Sequence, residues 1–347
     1  MFFVFSSPRI SDREMTQKKP GLGWPPLNSA LDVFNNWAYN INIKDLIRKK
    51  IDINTERNRN QQRYIHYKKR GGNDLIIKNN KQFNMFPSHI GIRKYILYYN
   101  IVFPERDTFM AQYTLMPNAC GTLSLAFDGD TVSAELWGAS MTPVFLGKEP
   151  NSYHILLLIQ LSSCGLYQIT RQSQWEFADK RLSLADIDNE LFNSLYQAFI
   201  ISKTGIELVN ACEKILYERM KNHIVSDALL LATSVISDSH GQVQVKEVAR
   251  QSSYSERHLN RLFLAQIGMN IKDYARLVRF NYVLKHIQKS PCFFAVLSQQ
   301  AGYFDQAHFD KDFKAISGIT PQEYMKTMSD FYYDGTDIYN TISSKEE

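Results

Sequence analysis

An internal repeat in the last third of the chain restricts its fold more than any other feature. The stretch Val248-Ala-Arg-Gln-Ser-Ser-Tyr-Ser-Glu-Arg-His-Leu259 continues through Phe263, Gly268 and Tyr274. A second stretch, Leu297-Ser-Gln-Gln-Ala-Gly-Tyr-Phe-Asp-Gln-Ala-His-Phe309, continues through Phe313, Gly318 and Tyr324. Leu259/Phe309, Phe263/Phe313, Gly268/Gly318 and Tyr274/Tyr324 all pair at an offset of 50, and before the turn the offset is 49, so the second copy holds one extra loop residue. Each copy reads as a short helix, a tight turn and a second helix. Ser255 and Asp305 stand where a side-chain oxygen accepts from a free backbone N–H of the first helical turn. Leu259, Leu262, Phe263 and Ile267 form the buried stripe of the first copy, and Phe309, Phe313 and Ile316 that of the second. Beside them run stripes rich in hydrogen-bonding groups: Arg257, Asn260, Arg261 and Leu264, then Ala307, Asp310, Lys311 and Lys314. One such helix would mean nothing more than an amphipathic surface helix. Two in matching register, each behind a helix and a turn, predict a pair of helix-turn-helix units.

Asn270–Lys289 is expected to join the two units as one helix, about 30 Å long at 1.5 Å per residue. Successive major grooves on one face of DNA recur about every 34 Å, so such a rod could hold two recognition helices near that spacing. Its two apolar seams, Ile271, Tyr274, Val278 and Tyr282 and then Leu277, Phe280, Leu284 and Ile287, suit a helix packed between two subdomains.

Charge alone points elsewhere. The chain carries a formal net charge of +5. Residues 1–84 hold 16 Lys+Arg against 7 Asp+Glu, whereas residues 226–327 hold 12 against 9. The case for nucleic acid therefore rests on placement. Residues 1–84 are expected to form a basic, flexible extension, because a stretch rich in Asn, Lys and Arg around Gly71-Gly72 buries little; whether it belongs to the native protein is left open. From 85 to 201 the apolar runs are short, aromatic or β-branched and separated by turn residues: Lys94–Phe103, Thr108–Met116, Gly121–Phe127, Val132–Trp137 and His154–Leu161. They predict a β-rich domain, barrel or sandwich. Leu184, Ile187, Leu191, Leu195 and Phe199 then trace one helix face. A linker helix over 202–225 opens on the capping box Thr204-x-x-Glu207. Residues 329–347 form a tail. The expected fold class is α+β and multidomain, a β-rich domain with trailing helices followed by an all-α domain.

The stretch 226–328 resembles the DNA-binding domain of the AraC/XylS family of transcription regulators. The matching residues are Ser255-Glu-Arg-His-Leu-Asn-Arg-Leu-Phe263, Gly268, Tyr274, Arg276 and Arg279, then Ala301-Gly-Tyr303, Phe309, Phe313, Gly318 and Thr320-Pro321-x-x-Tyr324. The resemblance implies major-groove reading by Arg257, Asn260 and Arg261 and by Gln306, Ala307, Asp310 and Lys311, with Lys314 in the same outward set. Arg can grip guanine O6/N7, Asn can pair with adenine, and Asp can accept from cytosine N4. Ser255, Lys246, Lys272, Thr320 and Gln322 lie near helix starts, where phosphate contacts are expected. More loosely, Pro87–Tyr99, Leu115–Leu125 and Leu136–Pro143 resemble a regulatory β domain of the same family, which implies a sensing or dimerisation role. Double-stranded DNA is the expected partner. A small-molecule effector, RNA polymerase and a second copy of the chain are left open.

No apolar run approaches the roughly 18 residues of a membrane span. The four cysteines are far apart, which suits a reducing cytosol. No zinc-ligand spacing, nucleophile elbow, phosphate loop or dinucleotide fingerprint occurs, so neither catalysis nor a cofactor or metal is expected. The alternative is a β-domain enzyme or methyl-accepting repair protein with a DNA-targeting tail. Cys120 would be its nucleophile, but no clustered cysteines or basic residues accompany it to lower its pKa.

Overall fold

The computed structural model describes residues 83–327, apart from residues 90, 105–107, 110, 112, 222–224 and 290–293. The basic extension, but for its last two residues, and the C-terminal tail lie outside the described residues. The β-branched and aromatic runs form strands β1 (Phe83–Pro87), β2 (Ile96–Val102), β3 (Thr114–Leu115), β4 (Thr122–Phe127), β5 (Val132–Trp137), β6 (Val144–Phe145), β7 (Ile155–Leu161) and β8 (Arg181–Ser183). Six of them make one antiparallel sheet in the order β1-β2-β7-β4-β5-β8, while β3 and β6 pair separately. The larger sheet ends on β1 and β8, so it is not a closed barrel. The expected Thr108–Met116 strand shrinks to β3.

Alternation along the strands divides the larger sheet into two faces. Tyr99, Ile101, Leu123, Leu125, Leu136, Leu157 and Ile159 point into the main core. Val102, Ala126 and Leu156 point the other way, beneath a second cluster with Phe109, Tyr113 and Leu115. Strand register then sets residues side by side across the second face. Tyr98, Gln160, Thr122, Trp137 and Arg181 form one row; Asn100, Leu158, Ser124 and Glu135 form the next; Val102, Leu156, Ala126 and Ser133 form the third.

Helices complete the main core: α1 (Gly165–Thr170), α2 (Leu184–Ile187), α3 (Asn189–Ile201) and α4 (Gly205–Met220). The helix face expected from Leu184 to Phe199 is broken in two. Asp188 adopts φ −155° and its side chain accepts from Leu191 N–H, so a cap interrupts the run. Thr204 caps α4 through Glu207 N–H as expected, but the Glu207 carboxylate reaches back to Lys203 N–H instead of Thr204 N–H.

The remainder is helical: α5 (Asp227–Asp238), α6 (Val245–Gln251), α7 (Glu256–Gln266), α8 (Ile271–Lys289), α9 (Phe294–Gln300), α10 (Gln306–Ser317) and α11 (Pro321–Thr327). The two repeats are α6–α7 and α9–α10. The connecting helix starts one residue later than expected, because Asn270 caps it by accepting from Asp273 N–H. Both expected seams of α8 are buried apart from half-buried Tyr282.

The β-rich part and the first helical unit share a packed boundary. Tyr274 hydroxyl lies 3.3 Å from Ser163 Oγ. Gly268, at φ +96°, sits so close to the carbonyl of Gln174 that an added Cβ would come within 2.7 Å of its oxygen. The equivalent Gly318 has a similar φ of +79° but nothing within 4 Å.

Candidate nucleic-acid interface

The two repeats fold alike for the reasons their sequences share. In each, a residue at positive φ (Ser253, then Gly302) turns the chain out of the first helix. Tyr254 N–H then bonds Ala249 O, as Tyr303 N–H bonds Ser298 O. The matching bonds keep an offset of 49, which identifies Phe304 as the extra residue. It stands just before the cap and is 91% exposed. Ser255 Oγ accepts from His258 N–H at 3.3 Å, and Asp305 Oδ1 from His308 N–H at 2.7 Å. Leu259, Phe263, Phe309, Phe313 and Ile316 are buried.

This packing turns one face of each second helix outward. On α7, Arg257 and Arg261 are exposed. Arg261 lies 3.0 Å from His258 Nδ1, and His258 in turn stacks on Tyr254 with centroids 4.6 Å apart. On α10, Gln306, Ala307, Lys311 and Lys314 are exposed. Lys246, Lys272 and Gln322 are also exposed, at the starts of α6, α8 and α11.

Other expected contact residues are already engaged within the fold. Asn260 is half-buried and its Oδ1 accepts from Ile271 N–H at 3.1 Å, tying α7 to the start of α8. Thr320 donates its N–H and hydroxyl to Glu323 while accepting from Glu323 N–H, a reciprocal cap for α11. The Ser255 hydroxyl is likewise a cap. These bonds account for the three side chains without DNA.

The acidic character of the second unit also looks different in three dimensions. Asp305 is a cap, and Asp312 accepts from Arg276 Nε at 2.7 Å and from Tyr303 hydroxyl at 3.0 Å. Only Asp310 remains beside the outward stripe; it is half-buried, and burial raises its carboxyl above the usual range. Arg276 and Arg279 of the matching motif are structural too. Arg276 binds Asp312, while Arg279 donates to Gly241 O at 2.8 Å and lies over the Tyr303 ring. The long helix thus clamps both units through two half-buried arginines.

Residues 248–327 match the model of a helix-turn-helix domain. This is an AraC/XylS-type helix-turn-helix domain. Its relatives include the HTH-type transcriptional activator RhaR of Salmonella dublin, 31% identical over 94 residues, covering 27% of this chain and 33% of the relative. RhaR of Salmonella arizonae is 36% identical over 75 residues, covering 22% of this chain and 27% of the relative. The chain thus spans about a third or less of the curated relatives it matches. Among solved structures, the C-terminal domain of AraT from Geobacillus stearothermophilus aligns with TM-score 0.29 and 20% identity, covering 30% of this chain and 88% of that one. ToxT from Vibrio cholerae aligns with TM-score 0.37 and 13% identity, covering 72% of this chain and 100% of that one.

The AraC-type domain is joined to a second candidate site that sequence reading missed. Across the outward face of the larger sheet lies a cavity of about 880 Å³, part of it open to solvent. Its floor is the three cross-strand rows, and its roof includes Phe109, Tyr113, Leu146, Pro150 and Tyr153. Trp137 Nε1 donates to Ser124 Oγ at 3.1 Å, and Arg181 lies over the Trp137 ring at 4.2 Å. Arg181 is also paired to Glu135 at 3.0 Å and to Glu149 at 2.6 Å, which holds the Glu149 carboxyl below its usual range. Spacing could not reveal this set, because pairing of β5 with β8 brings Glu135 beside Arg181 and the turn at Glu149–Ser152 brings Glu149 to them from a separate part of the chain.

Among the described residues no group of three or more His, Cys, Asp or Glu could hold a metal ion, and no helix is long and apolar enough to cross a membrane.

Proposed function

We propose that this protein is a sequence-specific DNA-binding transcription regulator that reads adjacent major grooves with α7 and α10 and responds to a small molecule at its β-rich part. The observation that carries it is the repeated unit itself, two second helices buried on matched residues and exposed on matched residues. Arg257 and Arg261 on α7, and Gln306, Ala307, Lys311 and Lys314 on α10, are exposed on the side that would meet base edges and phosphates. Lys246, Lys272 and Gln322 suit backbone contacts at the flanks. Asn260, Ser255 and Thr320 act first as structural residues, and Asp310 is a weaker candidate because its carboxylate would face the phosphate field. The RhaR relatives are named as activators, and activation is the direction we infer here.

The methyl-accepting alternative finds no support at Cys120. Burial pushes its thiol up to about 12, so the nucleophilic thiolate is scarce at neutral pH. Selection of bound sequences from a random duplex pool, followed by titration of the selected site over a range of salt, tests the DNA reading. A single recurring pair of half-sites about one helical turn apart is expected. Retention of duplexes with no shared sequence would overturn it.

A further inference from the structure

The cavity over the outward sheet face has a graded floor. Its third row is apolar at Val102, Leu156 and Ala126 and ends on Ser133; the middle row runs from Asn100 on β2 through Leu158 and Ser124 to Glu135 on β5; and Arg181 and Glu149 lie beside Glu135. An amphipathic molecule fits such a floor, its apolar body over Val102, Leu156 and Ala126 and its polar groups over the middle row.

Two observations say what head it takes. Asn100 is 4% exposed, lines the cavity, and its Oδ1 has no hydrogen-bond partner. A buried acceptor left unsatisfied is costly, so the missing partner is a donor. Arg181 is the one cation among the described lining residues, and it is already committed. Nη2 contacts both Glu135 and Glu149, Nη1 contacts Glu149 again, Nε contacts Glu135, and Trp137 covers the face. Two carboxylates against one guanidinium leave the rim with an excess negative charge. A carboxylate ligand would have to displace an existing ion pair and enter against that charge.

We infer that the effector of this site is a small amphipathic amine or alcohol that donates hydrogen bonds, and not a carboxylic acid. This rests on the reading of the β-rich part as ligand-responsive, and independently of the DNA reading it can fail.

The test is a matched series with one ring and three heads: 2-phenylethylamine, 2-phenylethanol and phenylacetate, titrated into the full chain by calorimetry and thermal shift. The amine and the alcohol are expected to bind saturably, and phenylacetate at least about tenfold more weakly. Asn100→Leu should remove most of the affinity for the amine and alcohol. Because a substitution at a buried residue could impair folding, the double variant Glu135→Gln/Glu149→Gln gives a second route at half-exposed positions. Freed of its partners, Arg181 should then accept phenylacetate, reversing the preference. The proposal is overturned if the wild-type chain prefers phenylacetate, binds all three equally or binds none, or if the double variant leaves the order unchanged. Operator binding measured on the same samples separates the two readings. Intact site-specific DNA binding with the wrong head-group order sinks only the ligand class, whereas absent DNA binding sinks the regulator reading.

Discussion

Gly268 and Gly318 occupy equivalent places in the two repeats but differ in what surrounds them, which makes them a matched pair for measuring the boundary between the β-rich part and the helical domain. Both are at positive φ, +96° and +79°. An alanine there meets left-handed backbone strain of about 1–2 kcal/mol, offset by about 0.4–1 kcal/mol from the less flexible unfolded chain. Gly318→Ala should therefore cost about 0–1.6 kcal/mol. Gly268→Ala meets the same strain and, in addition, a Cβ 2.7 Å from the Gln174 carbonyl oxygen, a backbone atom that cannot rotate away. Forcing atoms into a packed boundary costs about 1–3 kcal/mol more. At about 2–4 °C per kcal/mol for a folded unit of about 150–250 residues, Gly268→Ala should melt about 2–12 °C below Gly318→Ala. Thermal unfolding followed by circular dichroism measures the difference, with urea unfolding as a check. Equal losses in the two variants would show that the Gln174 contact carries no load and refute the reasoning.

Further outcomes follow from the same geometry. Arg261→Ala should weaken binding to the selected operator by about 1–3 kcal/mol and relax the preference at one base pair, while leaving the melting temperature unchanged; competition gel shifts with single-base variants read both. Ser255→Ala and Thr320→Val should each lower stability by about 0.5–2 kcal/mol through loss of a cap, with operator affinity at saturating folded protein nearly unchanged; a large affinity loss without destabilisation would make them phosphate contacts instead. Asp310 has a carboxyl raised by burial. Its folded form therefore holds the proton more tightly than the unfolded form, and its contribution to stability is lost as pH rises through the carboxylate range. Asp310→Asn should flatten that part of the stability profile and strengthen binding to unselected duplex, as measured by denaturation across pH and by fluorescence anisotropy.

The helical domain was largely legible because its information is local and repeated. Helix faces recur at three or four residues, caps sit next to the helices they start, and two copies report each position twice. The β-rich part was legible only as strands. Thr108–Met116 looked like a strand by composition but formed only the short β3, and the helix expected through Asp188 was interrupted because its side chain capped a new one. Within the site, exposure of Arg257 and Arg261 followed from the helical period. The engagement of Asn260 with Ile271, and of Asp312 with Arg276 and Tyr303, did not, since each requires two helices to be brought together.

By itself, the amino-acid sequence determined that two equivalent helix-turn-helix units would form and which side of each second helix would be buried, because periodicity and capping act over a few residues. Tertiary structure alone decided which polar residues remained free to meet a partner. It tied Asp312 to Arg276 of the long helix, and it aligned distant strands and the turn at Glu149 so that Asn100, Glu135, Glu149 and Arg181 share one cavity. Strand register and helix packing bring together residues far apart in the chain, and no local pattern encodes which of them will meet.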